Sequence, residues 1–465
     1  MIADPIFAPL RDLARRLRRG ELSPVELAES FLRRLEGLGP RLHAVVTVTR
    51  ERALTAARRA EAEIAAGHYR GPLHGIPYGA KDLLATAGGI PTTWGAAPLR
   101  AQSFDFDATV IRKLEAAGAV LVAKLAMVEL AGGMGYRQPS ASFTGPGRNP
   151  WNPETWTGGS SSGSGAAVAA GLVPFAIGSE TWGSILSPAG NCGVTGLRPT
   201  YGRVSRHGAM ALAWTLDKLG PLGLTADDCG LVLDAIAGPD PADPSATGRA
   251  FRYDERDPAG RRFRFGILPA VTEPCEEAVR ASFARSLEVL QEIGSVEEVG
   301  LPDLPWETVT RTILQAEAAS AFEDLIESGG ISALTAPEDR AGPYARDAIL
   351  AKDYIKAMRL RGVMAREIDR VLSRLDLLVA PGRAAVASPI DQEFRSAIRG
   401  TVADPMGAIG NGAGLPAVAV PNGLDPRGLP TSLQFMGRAY DENTVLAAAR
   451  AYQARTDWHR RHPEL

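Results

Sequence analysis

Lysine is scarce in this chain. Of the 51 basic residues only six are lysine, at positions 81, 113, 124, 218, 352 and 356. Arginine therefore serves almost everywhere a cation suffices. Because arginine keeps its proton at working pH while a buried lysine can release it, each retained lysine is a candidate base. Histidine is as rare, with six copies (43, 68, 74, 207, 459 and 462), none in a setting that completes a serine–histidine–acid triad. Three scattered cysteines, Cys192, Cys229 and Cys275, make neither a C-x-x-C metal site nor an even disulfide framework, which fits a reducing, cytoplasmic location. Charge excess is missing too: 51 basic against 53 acidic residues leave a formal charge of −2, far from the surplus of a protein that tracks phosphates. Nucleic acid is thereby excluded as a main partner. The longest weakly polar run, Gly165 to Gly178, is 14 residues and includes Gly171 and Pro174, whereas a membrane span needs roughly 18 or more apolar residues. Leu10, Leu13 and Leu17 recur at helical spacing among arginines, which reads as a solvated amphipathic helix rather than a signal peptide.

What is present is ordinary globular composition over 465 residues, 45% hydrophobic and 22% charged, enough for a large core. Ser23-Pro24-Val25-Glu26 predicts a helix start, with the serine hydroxyl accepting from an orphan amide and Glu26 reaching back. That helix carries Leu27, Phe31, Leu32 and Leu35 inward and stops near Gly37 to Pro40. A second helix runs through about 50 to 66. Between 71 and 225 short apolar runs such as Ala119-Val120-Leu121-Val122 alternate with helical patches and Gly-rich turns, the texture of an α/β sheet. Residues 240 to 265 read as a surface connection and 275 to 375 as mainly helical. Ala417-Val418-Ala419-Val420 and Leu433-Gln434-Phe435-Met436 read as strands returning to the sheet.

Chemistry concentrates in three segments. Gly158-Gly159-Ser160-Ser161-Ser162-Gly163-Ser164-Gly165 leads into a small-residue helix and a strand at 173 to 177. Its glycines would suit a phosphate cradle, but no Gly-Lys-Ser/Thr follows, and Val168 stands where a dinucleotide loop wants Gly or Ala. A flexible linker shares the composition, yet linkers rarely feed straight into an apolar helix. The second segment, Gly178-Ser179-Glu180-Thr181-Trp182-Gly183-Ser184-Ile185-Leu186-Ser187-Pro188, places a serine after a glycine, where a tight turn can present a hydroxyl and neighbouring amides to one space. That is the arrangement acyl transfer needs for a nucleophile and an oxyanion hole. The third holds Lys81, at the end of a short strand in Leu73 to Leu83; taken alone, it reads equally as a surface lysine paired with Asp82, and Lys124 is its rival.

Together the segments resemble the amidase signature family. The specific parts are the Lys81 strand, the Gly-Gly-Ser-Ser turn, Gly-Ser-Ile-x-x-Pro, and Gly193-Val194-x-Gly196-Leu197-x-Pro199-Thr200-x-Gly202-Arg203-Val204-Ser205. The similarity extends to the closing Gly428-Leu429-Pro430-x-x-Leu433-Gln434-x-x-Gly437. Ser160 and Ser184 are 24 residues apart, the family's separation. The resemblance implies a single α/β domain over 1–465 with a twisted mixed β-sheet flanked by helices: a core at about 71–225, a more variable helical region at about 240–400 and a return to the sheet at about 405–458. It implies Ser184 as nucleophile, Ser160 as bridging serine on a cis peptide after Gly159, and Lys81 as base. The oxyanion would be held by the backbone N–H groups of Thr181, Trp182, Gly183 and Ser184, with Ser161 and Ser179 in support. For the relay to run, the Lys81 pKa must fall from about 10.4 toward about 7–8, and Asp82 must point elsewhere.

The chain departs from the family where Asp-Thr-Gly-Gly-Ser-Ile-Arg is common. It has Glu180-Thr181-Trp182-Gly183-Ser184-Ile185-Leu186, and Ser162 where glycine is usual. These changes remove no catalytic group but reshape the substrate pocket, to which Trp182 and Met134 are assigned. The expected activity is a stand-alone amidase acting on small amides, anilides, peptide amides or carbamates, with no metal and no cofactor. One alternative is the glutaminase chain of a tRNA-dependent amidotransferase. The other is a non-catalytic ligand-binding member of the fold, whose mark would be loss of Lys81, Ser160 or Ser184; none is lost. The resemblance allows a homodimer, which composition does not decide.

Overall fold

The computed structural model describes residues 5–343, 348–394 and 404–465. Its strands are β1 (Val45–Val48), β2 (Pro77–Lys81), β3 (Val120–Leu125), β4 (Arg148–Asn149), β5 (Asn152–Trp156), β6 (Phe175–Glu180) and β7 (Thr195–Arg198). They continue with β8 (Lys218–Gly223), β9 (Phe263–Ile267), β10 (Gly294–Glu298), β11 (Leu377–Pro381), β12 (Ala417–Leu424) and β13 (Pro430–Met436). Eleven of them form one mixed sheet in the order β1-β3-β2-β6-β8-β7-β12-β13-β11-β9-β10, and β4 and β5 pair separately. Helices flank this sheet, so the fold is the α/β arrangement expected.

Strands β2, β3, β6 and β8 are buried along their whole length, which is why they read as short continuous apolar runs rather than alternating ones. The period of two survives in the packing. Leu121, Tyr78, Ala80, Phe175 and Ile177 enter one apolar cluster, while Val120, Val122 and Ala176 enter another. The second cluster includes Ala166 to Ala170, from the helix Ser162–Ala169 and the residue beyond it. Every residue of that helix is buried, so its small side chains let it lie close to the sheet.

The sequence-level outline holds with shifts. The helix Pro24–Leu38 is capped by Ser23 Oγ, which accepts from Val25 N (3.1 Å) and Glu26 N (3.2 Å), but the Ser23 hydroxyl donates to Glu61 and no bond runs back from Glu26. A helix does occupy Arg50–Ala65. The strand expected at 173 to 177 starts later, at Phe175, because Pro174 precedes it, and it runs on to Glu180. Strands β12 and β13 pair antiparallel with Ala417 opposite Met436. β9 and β10 lie in stretches read as connection and helix.

Registers place the site. β2 runs parallel to both β3 and β6, with Ala80 opposite Ile177, so Lys81 emerges beside Ser179. β6 is antiparallel to β8, which sets Ser179 opposite Leu219 and Glu180 opposite Lys218. All three reactive segments thus reach one edge region of the central strands.

Candidate active site

Lys81 is fully buried, and its Nζ donates to Ser160 Oγ (2.7 Å) and Ser179 Oγ (2.9 Å). Burial is the largest influence on it; Asp217 and Glu180 pull the other way, and the pKa settles at about 7. Asp82 points elsewhere. Its Oδ1 pairs with Lys124 Nζ at 3.0 Å, and its Oδ2 accepts from Thr93 N at 3.0 Å. The rival lysine, Lys124, is thus held in a buried ion pair and donates as well to Thr92 Oγ1 (2.7 Å).

The Gly159–Ser160 peptide is cis. A Cβ on Gly159 would stand 2.7 Å from Val128 Cγ2 and 3.0 Å from Trp156 Cζ2, so crowding alone demands glycine there. Ser161 ties the two turns together: its N–H donates to the Ser184 carbonyl (3.2 Å), and its hydroxyl to the Ser179 carbonyl (3.2 Å). Ser162 Oγ donates to the Ala126 carbonyl.

Ser184 follows Gly183, whose φ is +81°. Nothing lies within 4 Å of where a Gly183 Cβ would stand, so backbone conformation is the reason for glycine and the space above the turn is open. Among the described residues, the N–H groups of Thr181, Trp182, Gly183 and Ser184 and the Ser184 hydroxyl donate to no partner. Four consecutive unsatisfied donors beside an open space form an anion-stabilising concavity. The next two amides are used differently: Ile185 N and Leu186 N donate to Glu180 Oε2 at 2.9 and 3.0 Å. Glu180 Oε1 accepts from Arg198 Nη1 at 2.8 Å, both side chains fully buried.

Trp182 is half-buried. Its indole N–H donates to Asp404 Oδ2 (2.9 Å), and the Arg311 guanidinium lies 5.3 Å from the ring centroid. Met134 is 2% exposed and packs in the main apolar cluster. A cavity of about 240 Å³ reaches Ser179 and Thr181 and is lined also by Leu83, Ala131, Met210 and Trp214. Ala131, rather than Met134, faces it.

Sequence reasoning missed Glu180 as an anchor, together with Arg198, Asp404, Arg311 and the Thr181–Asp217 bond (2.6 Å). Lysine scarcity held part of the signal: Lys218 is also buried and donates to Asn411 Oδ1 at 2.8 Å.

The amidase family profile matches residues 26–446. The glutaminase chain of the Glutamyl-tRNA(Gln) amidotransferase of Roseiflexus sp. (strain RS-1) is 38% identical over 98% of this chain and 98% of its own length. The solved peptide amidase of Stenotrophomonas maltophilia superposes with a TM-score of 0.86 at 33% identity, over 98% of either chain. A bacterial aryl acylamidase of the amidase signature enzymes superposes at 0.87 with 25% identity, over 98% of this chain and 99% of its own. The chain belongs to the amidase signature family. It is an enzyme of the amidase class, a hydrolase of carbon–nitrogen bonds in amides. No helix among the described residues is long and apolar enough to cross a membrane.

Proposed function

We propose that the protein is a stand-alone amidase that cleaves a small amide through an acyl-enzyme on Ser184. The observation that carries this reading is the buried Lys81 amine, bonded to two hydroxyls with its pKa at about 7, beside a turn of four free amides. In the proposed sequence, neutral Lys81 takes the Ser160 proton as Ser160 takes the Ser184 proton, and the Ser184 oxygen attacks the amide carbonyl. The carbonyl oxygen becomes an oxyanion facing the N–H groups of residues 181 to 184. The proton returns along the same path to the leaving nitrogen, the C–N bond breaks, and water then clears the ester by the same base.

Trp182 favours a stand-alone enzyme. An indole tied to Asp404 and covered by Arg311 narrows the approach to Ser184 and offers a flat apolar face, suited to aryl or other apolar groups more than to a glutamine side chain. The second reading, a glutaminase working within an amidotransferase, rests on the 38% identity to the Roseiflexus chain. Assaying the isolated chain on a panel of amides, anilides, esters, carbamates and glutamine separates them. Turnover of anilides or peptide amides without a partner supports the first, and activity confined to glutamine supports the second.

Two variants or probes test the site directly. A serine-directed fluorophosphonate is expected to label Ser184 alone, read by intact mass and peptide mapping; adducts on Ser160, Ser161 or Ser162 with Ser184 untouched would overturn the nucleophile assignment. Trp182→Gly is expected to raise KM for compact aromatic amides and to admit bulkier ones, with Tm little changed. A large fall in Tm with an unchanged substrate ranking would instead make Trp182 a packing residue.

A further inference from the structure

The cleft holds one arginine that the relay does not use. Arg383 follows β11, where Gly382 N donates to the Ser432 carbonyl at 2.7 Å and fixes the chain direction. Its stem runs over the helix Leu186–Cys192, which begins two residues after Ser184: a Cβ on Gly190 of that helix would stand 3.3 Å from Arg383 Cγ. The two groups that act electrostatically on its guanidinium are Asp404 and Tyr136. Each belongs to one flank of the reactive centre. Asp404 holds the Trp182 indole, and the Tyr136 hydroxyl would lie 3.1 Å from a Cβ on Gly159. Arg383 therefore sits between the Trp182 flank and the Gly159 flank, over the helix that leaves the nucleophile.

Among the described residues Arg383 makes no hydrogen bond and no ion pair. Asp404 spends Oδ2 on Trp182 and Oδ1 on Gly407 N (2.8 Å) without bridging to it. The side chain is half-buried, so it is partly stripped of water and yet unsatisfied. Burial drags its pKa below the usual arginine value, with Asp404 and then Tyr136 opposing. A guanidinium offers five donors in a planar fork that matches a carboxylate at two points. Other arginines of the chain show the satisfied alternative, as where Arg52 grips Asp107 with bonds of 2.9 and 2.7 Å.

We propose that Arg383 is a specificity-determining residue that binds a carboxylate carried by the substrate, so that the preferred amides are half-amides of dicarboxylic acids or similarly acidic amides. The inference rests on the proposed reading of Ser184 as the nucleophile. The test measures binding rather than turnover. Calorimetry on Ser184→Ala compares the anilides of malonic, succinic and glutaric half-acids with uncharged anilides in which methyl replaces the carboxylate. At one or more chain lengths the acid is expected to bind about tenfold or more tighter than its neutral counterpart, the range of a charge-assisted hydrogen bond. Arg383→Met added to Ser184→Ala is expected to abolish that ratio, and Arg383→Lys to keep part of it. If no acid outbinds its neutral counterpart, or the ratio survives in Arg383→Met, the assignment is overturned. Cleavage of anilides by the unmodified chain is measured separately: its failure would sink the hydrolase reading, while the binding ratio still decides this proposal.

Discussion

Lys81→Arg is expected to be as damaging as Lys81→Ala, each lowering kcat/KM by about 10²–10⁴-fold, the usual worth of a positioned acid–base group. Arginine keeps the charge and much of the volume but cannot release its proton. An ion-pairing lysine would show the reverse, with arginine nearly as good as lysine; an Arg variant that stays folded and keeps most of its activity ends the relay argument. The pH profile gives a second readout. The base must be neutral and its pKa stands at about 7, so activity falls on the acid side below that value, about tenfold per unit. Stability gives a third. Lys81 binds its proton less readily folded than unfolded, where the ordinary value is 10.5. Between about 7 and 10.5 the unfolded chain then holds more protons, and the linkage relation makes folding stability rise with pH across that window. Lys81→Met is expected to remove this rise, whatever the substrate.

How much of this was legible before the fold was known depends on what kind of signal each part leaves. Strands β2, β3 and β6 and the buried helix after Ser161 announce themselves through local composition: short apolar runs, and small residues where two layers touch. β10, Gly-Ser-Val-Glu-Glu at the end of the sheet, buries little beyond Gly294 and so carries no apolar pattern to read. The same division runs through the site. Lysine scarcity pointed to cations retained for a reason, and Lys81, Lys124 and Lys218 are all buried. Counting could not rank them, because what separates them is their partners: two hydroxyls for Lys81, a carboxylate for Lys124, and for Lys218 carbonyls and an amide oxygen. Asp404 and Arg383 lie some two hundred residues from Trp182 and Ser184 in sequence, and no spacing rule links such positions. The resemblance supplied the serines; only the fold supplies the charges around them.

Glu180 is the clearest case of a residue whose weight comes from those charges. Its Oε2 holds the first two amides after Ser184, and its Oε1 accepts from Arg198, with neither side chain exposed. Removing one member of a buried pair strands the other, so Glu180→Ala is expected to cost about 3–5 kcal/mol of stability. Replacing both partners by apolar residues, as in Glu180→Leu with Arg198→Met, is expected to recover much of that loss without recovering kcat. The turn carrying Ser184 would still lack its anchor at Ile185 and Leu186. Acid titration gives an independent check. Burial pushes the Glu180 pKa up, but Arg198 and then Lys218 outweigh it and hold the pKa below the ordinary 4.5. The carboxylate's contribution is therefore complete above about pH 4.5 and is lost as pH falls through the lower folded value. The stability gap between the unmodified protein and Glu180→Gln, followed by urea unfolding, is expected to be constant near neutrality and to shrink only in that acid range. A double variant with normal kcat would show that the Ser184 turn holds itself, and would reduce Glu180 to a partner of Arg198 with no hold on catalysis.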